Sequence, residues 1–282
     1  MISEIKTIYH YCSTDAFLKI LLSNSIFLTH CRMLNDGKED RMFLNSFEKV
    51  DLVSEYKDEE LEIAKKIIDG YRKKVDFPYV ACFSAQDDIL SQWIAYGDDG
   101  RGVCIGFDLS KIPFIDLLNE QHGDKPKVII DEVGYSDDND ELIRKIFNAS
   151  NIIYKKEGNA GKAIAYGLSG MERLSIFTKS TSFSYEDEVR MVYYPCYRHL
   201  LRKFNQEEFE GDVNYELDFL SSATRIKSYF KYKLPLDTIS SITLGPKNQI
   251  DFTQLMILLS QTAPRVRIEN NIKYSKISYN DF

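Results

Sequence analysis

The sequence predicts an α+β protein folded as one domain over 1–282, with a helical insertion at about 137–178. Three observations lead there. Period-two apolar runs and period-3.6 apolar runs both occur, but in mixed order rather than in strict strand–helix alternation. With 282 residues, 44% hydrophobic and 13% aromatic, the chain has ample material for a packed core. No repeat, low-complexity linker or composition shift marks a boundary.

Taken in order, residues 5–11 read as a strand ending at Ser13 or Thr14, either of which caps a helix whose apolar positions Phe17, Ile20 and Leu21 recur at helical spacing. Ile26–Thr29 is a second strand. The Asn35-Asp36-Gly37 turn opens a charged helical stretch running with interruptions to about Val75. Pro78 restarts extended structure, giving a strand at Tyr79–Phe83, then a short helix at Leu90–Tyr96, an Asp98-Asp99-Gly100 turn and a strand at Val103–Phe107. A strand at Val128–Tyr135 precedes a long helical region from about Asp140 to Phe177, broken near Gly158 and Gly161. Strands follow at Glu188–Tyr194, once or twice between Val213 and Leu234, and at Ile239–Leu244 before the Gly245-Pro246 turn. A helix near Phe252–Gln261 and a strand at Arg265–Ile268 finish the chain.

A net charge of −7 lowers the expectation of indiscriminate nucleic-acid binding. The five cysteines, Cys12, Cys31, Cys82, Cys104 and Cys196, are odd in number, lack CxxC spacing and read as buried thiols of a reducing compartment. No apolar run approaches the ~20 residues of a membrane span, and no basic-then-apolar leader opens the chain. Cytoplasmic residence without membrane attachment is the expectation.

Gly100-Arg101-Gly102 with Gly106 precedes a strand instead of opening a helix, so a tight turn accounts for it better than a dinucleotide loop. His30, His122 and His199 have no partners at ligand spacing, and no metal site is expected. His10 stands at the end of the first strand, just before a capped helix, where pockets form. Glu186, Glu188 and Arg190 share one face of a strand by the period-two rule, as a salt-bridged surface or as a functional cluster. Arg225, Lys227, Lys231 and Lys233 fall with Tyr229 on one side of a strand, a solvated face or a patch for an anionic target.

The segment Tyr9-His10-Tyr11-Cys12-Ser13, the following helix and Ile26-Phe27-Leu28 resemble the first block of the histidine-type ADP-ribosyltransferases. Cys82-Phe83-Ser84 with Ser91-Gln92-Trp93 is similar to that family's second block, and Asp187–Tyr193 to its catalytic-glutamate strand. Two departures stand out, with Tyr11 in place of a glycine and Cys82 in place of a tyrosine. Over nearly the whole chain, Tyr9-His10-Tyr11, Leu34-Asn35-Asp36 with Glu39, Leu90-Ser91-Gln92-Trp93 with Tyr96-Gly97, Lys179, Glu186-x-Glu188-x-Arg190 and Leu244-Gly245-Pro246 resemble the bacterial domain of unknown function 2971 family.

The transferase resemblance implies a split mixed sheet flanked by helices, with NAD as co-substrate and transfer of ADP-ribose to a macromolecular acceptor, protein or nucleic acid. It implies Glu188 as the carboxylate that opposes oxocarbenium charge, Glu186 as its accessory and His10 orienting the adenosine ribose. Tyr11, Ser84, Trp93 and Tyr96 become the remaining NAD-binding candidates, with Trp93 stacking on nicotinamide or walling its pocket. Such domains suggest a toxin or phage-defence role. Two other classes compete: a non-catalytic nucleotide-binding sensor or interaction module, and a magnesium-dependent nuclease using Glu186 and Glu188. The nuclease lacks a usable base, because Arg190 occupies the basic position.

Overall fold

The computed structural model describes residues 4–33, 52–73, 78–112, 127–195, 215–222, 225–235, 237–262 and 271–279. These fall into two compact units, one within 1–31, 78–132 and 186–282, the other within 32–77 and 133–185. The expected insertion therefore belongs to a unit that the chain enters twice. Its first passage, at 32–77, carries no composition signal that would mark it.

The first unit is built on a ten-stranded sheet. Strand β1 (Thr7–Cys12) leads into α1 (Thr14–Ser23), whose cap is Ser13: its hydroxyl accepts from the Ala16 amide, and Asn24 ends the helix in the left-handed region. Phe17, Ile20 and Leu21 point into the core, each worth about 1.5–3 kcal/mol on burial. Then come β2 (Ser25–His30), β3 (Tyr79–Ser84) and β4 (Val103–Asp108). Further along are β5 (Lys127–Glu132), β8 (Glu188–Tyr194), β9 (Tyr215–Ser222), β10 (Arg225–Lys233), β11 (Ile239–Leu244) and β12 (Ile272–Tyr274). The main path is β12-β11-β4-β1-β3-β2-β10-β9, with β8 on the other edge of β3 and β5 beyond it. Among the described residues, only β11–β12 is parallel within this sheet. The helices α4 (Leu90–Ala95) and α7 (Phe252–Thr262) complete the unit.

One strand carries two neighbours on one edge. Along β8, β3 is paired throughout, from Tyr79↔Tyr193 to Ser84↔Glu188. Its opposite edge meets β1 at Tyr9↔Ser84 and β2 at Thr29↔Val80 and His30↔Tyr79. Between those contacts lie Ala81, Cys82 and Phe83, so β1 and β2 diverge from a shared partner and the sheet opens there.

The register also sorts the two faces. Ile8, Cys12, Ala81, Phe83, Ile105, Val189 and Met191 lie in the main apolar core with α1 and α7. Tyr9, Ser84 and Glu188 form one cross-strand row on the other face, and Cys82, Arg190 and Asp131 form the next.

The second unit holds α2 (Leu52–Glu55), α3 (Asp58–Arg72), α5 (Asp140–Glu157), α6 (Ala160–Ile176) and a short parallel pair, β6 (Gly134–Tyr135) with β7 (Thr178–Lys179). Ile63, Ile67, Ile143, Phe147, Ala163 and Met171 make its core. Gly158 ends α5 in the left-handed region, and Asn159 caps α6 through the Lys162 amide. The strand expected over Val128–Tyr135 is thus two strands parted at Val133, one in each unit. The strand expected at Arg265–Ile268 lies outside the described residues, as do His122, His199 and Cys196. Among the described residues, no helix is long and apolar enough to cross a membrane.

Candidate functional site

The opening between β1 and β2 is where His10 sits. Its Nδ1 lies 3.0 Å from the Cys82 carbonyl oxygen, in the stretch of β3 that separates the two neighbouring strands. A carbonyl only accepts, so Nδ1 carries the proton and Nε2 is left as an acceptor. The ring is tilted against Phe83 at 5.5 Å between centroids, and burial pushes the imidazole below its usual range, toward the neutral form. Alternation from Tyr9 sends His10 away from the Glu188 face. A ligand touching both must reach through the opening of the sheet.

Glu188 begins β8 and is 6% exposed; Arg190, two residues on, is 2% exposed. The guanidinium forks onto the carboxylate, Nε to Oε1 at 2.8 Å and Nη2 to Oε2 at 3.0 Å. The shared face foreseen from period two is therefore a buried ion pair and not a surface one. Glu186 departs from that reading. It ends a 3₁₀ turn over Thr181–Glu186, and Asp187 follows at φ 43°, so β8 starts only at Glu188. Glu186 is nonetheless buried.

The loop after β3 ties this corner together. Ser84 Oγ donates to the Glu186 carbonyl at 2.9 Å and accepts from the Gln86 amide, while the Ala85 amide donates to the Asp187 carbonyl. Gln86 also donates through its side chain to the Asp187 carboxylate. Tyr11 donates its hydroxyl to the Gln86 carbonyl and accepts from the Ile89 amide, both at 3.0 Å. Burial drives that phenol far above its ordinary range.

Trp93 is fully buried, edge-on to Tyr11 at 4.9 Å and beside Cys104. Its indole N–H donates to Asp88 Oδ1 at 2.8 Å. Tyr96, at the end of α4, stays at the surface. The structure thus brings Ser84 and Glu188 into one cross-strand row, places Tyr11 and Trp93 in a neighbouring apolar cluster, and sets His10 in the opening.

Asp88 is the residue that motif reading missed. Besides Trp93 it accepts from Ser275 Oγ at 2.6 Å and from the Lys276 amide at 2.8 Å, while Asp87 pairs with Lys273. The stretch Lys273–Lys276 is held on the loop that leads into α4, the helix that carries Trp93. A signal existed in the Asp87-Asp88 pair just before the helix, but its partners lie almost two hundred positions away. The Gly100-Arg101-Gly102 motif is the tight turn expected. The Gly245 amide donates to the Gly102 carbonyl, and the Lys247 amide to that of Gly100.

Strand β10 carries the expected basic positions, but Lys231 pairs with Asp218 of β9 at 2.7 Å and Tyr229 donates to the same carboxylate. The Lys231 hydrogen bond, first, with those from the Phe219 amide and Tyr229, holds Asp218 down at about 2. The face is mixed in charge.

Residues 92–191 match the model of a protein family described as a protein of unknown function (DUF2971). That stretch runs from α4 to the middle of β8 and includes Trp93, Glu186, Glu188 and Arg190. The family read from the motifs is the family matched. No curated protein and no solved structure matches the chain.

Proposed function

We propose that this protein is an ADP-ribosyltransferase-like enzyme that cleaves the nicotinamide–ribose bond of NAD and passes ADP-ribose to a macromolecular acceptor. The observation that supports it is the opening of the sheet at β3, with His10 in the opening and Glu188 opposite Ser84 on the adjacent strand. NAD supplies the scissile glycosidic bond. Glu188 stabilises positive charge developing on the ribose, as carboxylates do in glycoside cleavage. His10, fixed by Cys82, presents Nε2 to a ribose hydroxyl. Glu186 acts on the acceptor side.

The fit to NAD is uneven along the candidate set. His10 keeps Nε2 as an acceptor and Glu188 is held by the Arg190 fork, whereas the Tyr11 hydroxyl, the Ser84 hydroxyl and the Trp93 indole N–H are engaged within the protein. In this reading those three shape and stiffen the wall, and Trp93 acts by packing Tyr11. The same engagement favours the alternative of a nucleotide sensor that binds without turnover. A nuclease is disfavoured, because a metal ion on Glu188 would have to compete with the Arg190 fork.

The test is nicotinamide release from NAD by the purified chain, alone and with protein or nucleic-acid acceptors. Release that Glu188→Gln abolishes supports the enzyme. Binding without release supports the sensor, and neither binding nor release removes NAD from consideration.

A further inference from the structure

We propose that Asp187 is a positioning residue for Glu188, its left-handed backbone setting where that carboxylate stands in the site; this rests on the transferase reading. Asp187 has φ 43°, a region where Cβ crowds the backbone and which Asn and Asp enter more readily than other residues with side chains. Among the described residues, the other non-glycine positions with positive φ are Asn24 at the end of α1, Asp58 at the start of α3, and Asp98 and Asp99 in the turn before Gly100. Those are helix ends and turns, where the chain reverses as a matter of course. Asp187 instead stands directly before β8, a buried strand paired on both edges, with β3 and with β5. An extended residue there would carry the strand back through Glu186 and set both glutamates on one face. The left-handed turn stops this: Glu186 closes the 3₁₀ turn, and Glu188 opens β8 opposite Ser84.

A backbone conformation of this kind persists only where its surroundings over-determine it. Ser84, Ala85 and Gln86, running off the end of β3, do so. Ser84 Oγ donates to the Glu186 carbonyl at 2.9 Å, the Ala85 amide to the Asp187 carbonyl at 2.8 Å, and the Gln86 side-chain amide to the Asp187 carboxylate. This clamp is itself fixed from behind. The Gln86 amide donates to Ser84 Oγ at 3.2 Å, and the Gln86 carbonyl accepts from the Tyr11 hydroxyl, which accepts in turn from the Ile89 amide. Glu188 therefore follows a residue held in one backbone geometry and faces, in Ser84, a member of the stretch that enforces it. Asp187 acts through the turn, and its carboxylate serves by anchoring to Gln86. Tyr11, standing where the transferases carry a glycine, braces the clamp through its hydroxyl.

The experiment measures NAD cleavage by wild type, Asp187→Asn, Asp187→Gly and Asp187→Ala, with thermal melting of each so that kcat is expressed per folded molecule. Asn enters the left-handed region and its side-chain oxygen still accepts from Gln86, so Asp187→Asn should keep kcat within about twofold of wild type. Gly keeps the backbone but releases Gln86, and should lose about tenfold in kcat. Ala gives up both, and should lose about a hundredfold, the loss that follows when a reacting group is misplaced by about 1 Å, with KM nearly constant throughout. If Asp187→Ala does not fold, the order of Asn above Gly still decides. An active wild type whose kcat per folded molecule is matched by the Gly and Ala variants overturns the inference alone. So does an Asp187→Asn protein that falls as far as Asp187→Ala, because the effect would then belong to the charge and not to the turn. A wild type that never cleaves NAD overturns the transferase reading and this inference with it.

Discussion

Replacing Glu188 by Gln tests the buried pair and the chemistry together. Gln keeps the shape and one acceptor but sets an NH₂ group where Oε2 receives Nη2 of Arg190, so donor faces donor and the buried guanidinium loses the carboxylate it forks onto. Breaking a buried ion pair by removing one partner costs about 3–5 kcal/mol. Against a typical total stability of about 5–15 kcal/mol that is a large share, and for a chain of this size it lowers the melting temperature by on the order of 10 °C. Removing the cation as well, in Glu188→Gln/Arg190→Met, should restore most of the loss, because apolar groups of similar volume replace buried pairs at little cost. Turnover should stay about 10²-fold below wild type in both. Melting followed by circular dichroism, with nicotinamide release corrected for the folded fraction, separates the effects. A Glu188→Gln protein that melts with wild type, or a double variant less stable than the single one, would refute the reasoning.

Three further outcomes follow from the same geometry. Asp88→Ala leaves the Trp93 indole N–H buried without its acceptor and frees Ser275 and Lys276, so stability should fall by about 1–3 kcal/mol from the indole alone; an unchanged urea midpoint would contradict this. Burial lowers the His10 pKa from its ordinary 6.5, so as pH falls below that value the unfolded chain takes up a proton that the folded one refuses. This part of the stability is complete above pH 6.5 and is lost as pH falls toward the folded-state value; the slope of melting temperature against pH there should be shallower in His10→Asn, and parallel curves would count against it. A Cβ at Gly102 would collide with the Cys12 carbonyl, a backbone atom that cannot swing away, so Gly102→Ala should destabilise the turn and lower the yield of folded protein, whereas wild-type melting would show that the turn shifts freely.

The elements legible in advance are those whose cause is local. Ser13 caps α1, Gly158 ends α5, and period two sets β8 from Glu188 and β11 over Ile239–Leu244, because each depends on residues within a few positions. Period two also put Glu188 and Arg190 on one face. It did so for Glu186 as well, and there the positive φ of Asp187 broke the pattern, a strain held by hydrogen bonds from Ala85 and Gln86 a hundred residues away.

By itself, then, the sequence determined the mixed α+β character, most helices and strands, the tight Gly-Arg-Gly turn and the family to which residues 92–191 match. Only the tertiary structure decided that β3 serves both β1 and β2, that His10 caps the Cys82 carbonyl in the gap, and that Asp88 holds the carboxyl-terminal stretch beside Trp93. The same holds for the Glu188–Arg190 pair, which a sequence pattern leaves equally free to face water or the interior. Burial and long-range pairing depend on which distant segment arrives to exclude water, and periodicity along one strand carries no record of its neighbours.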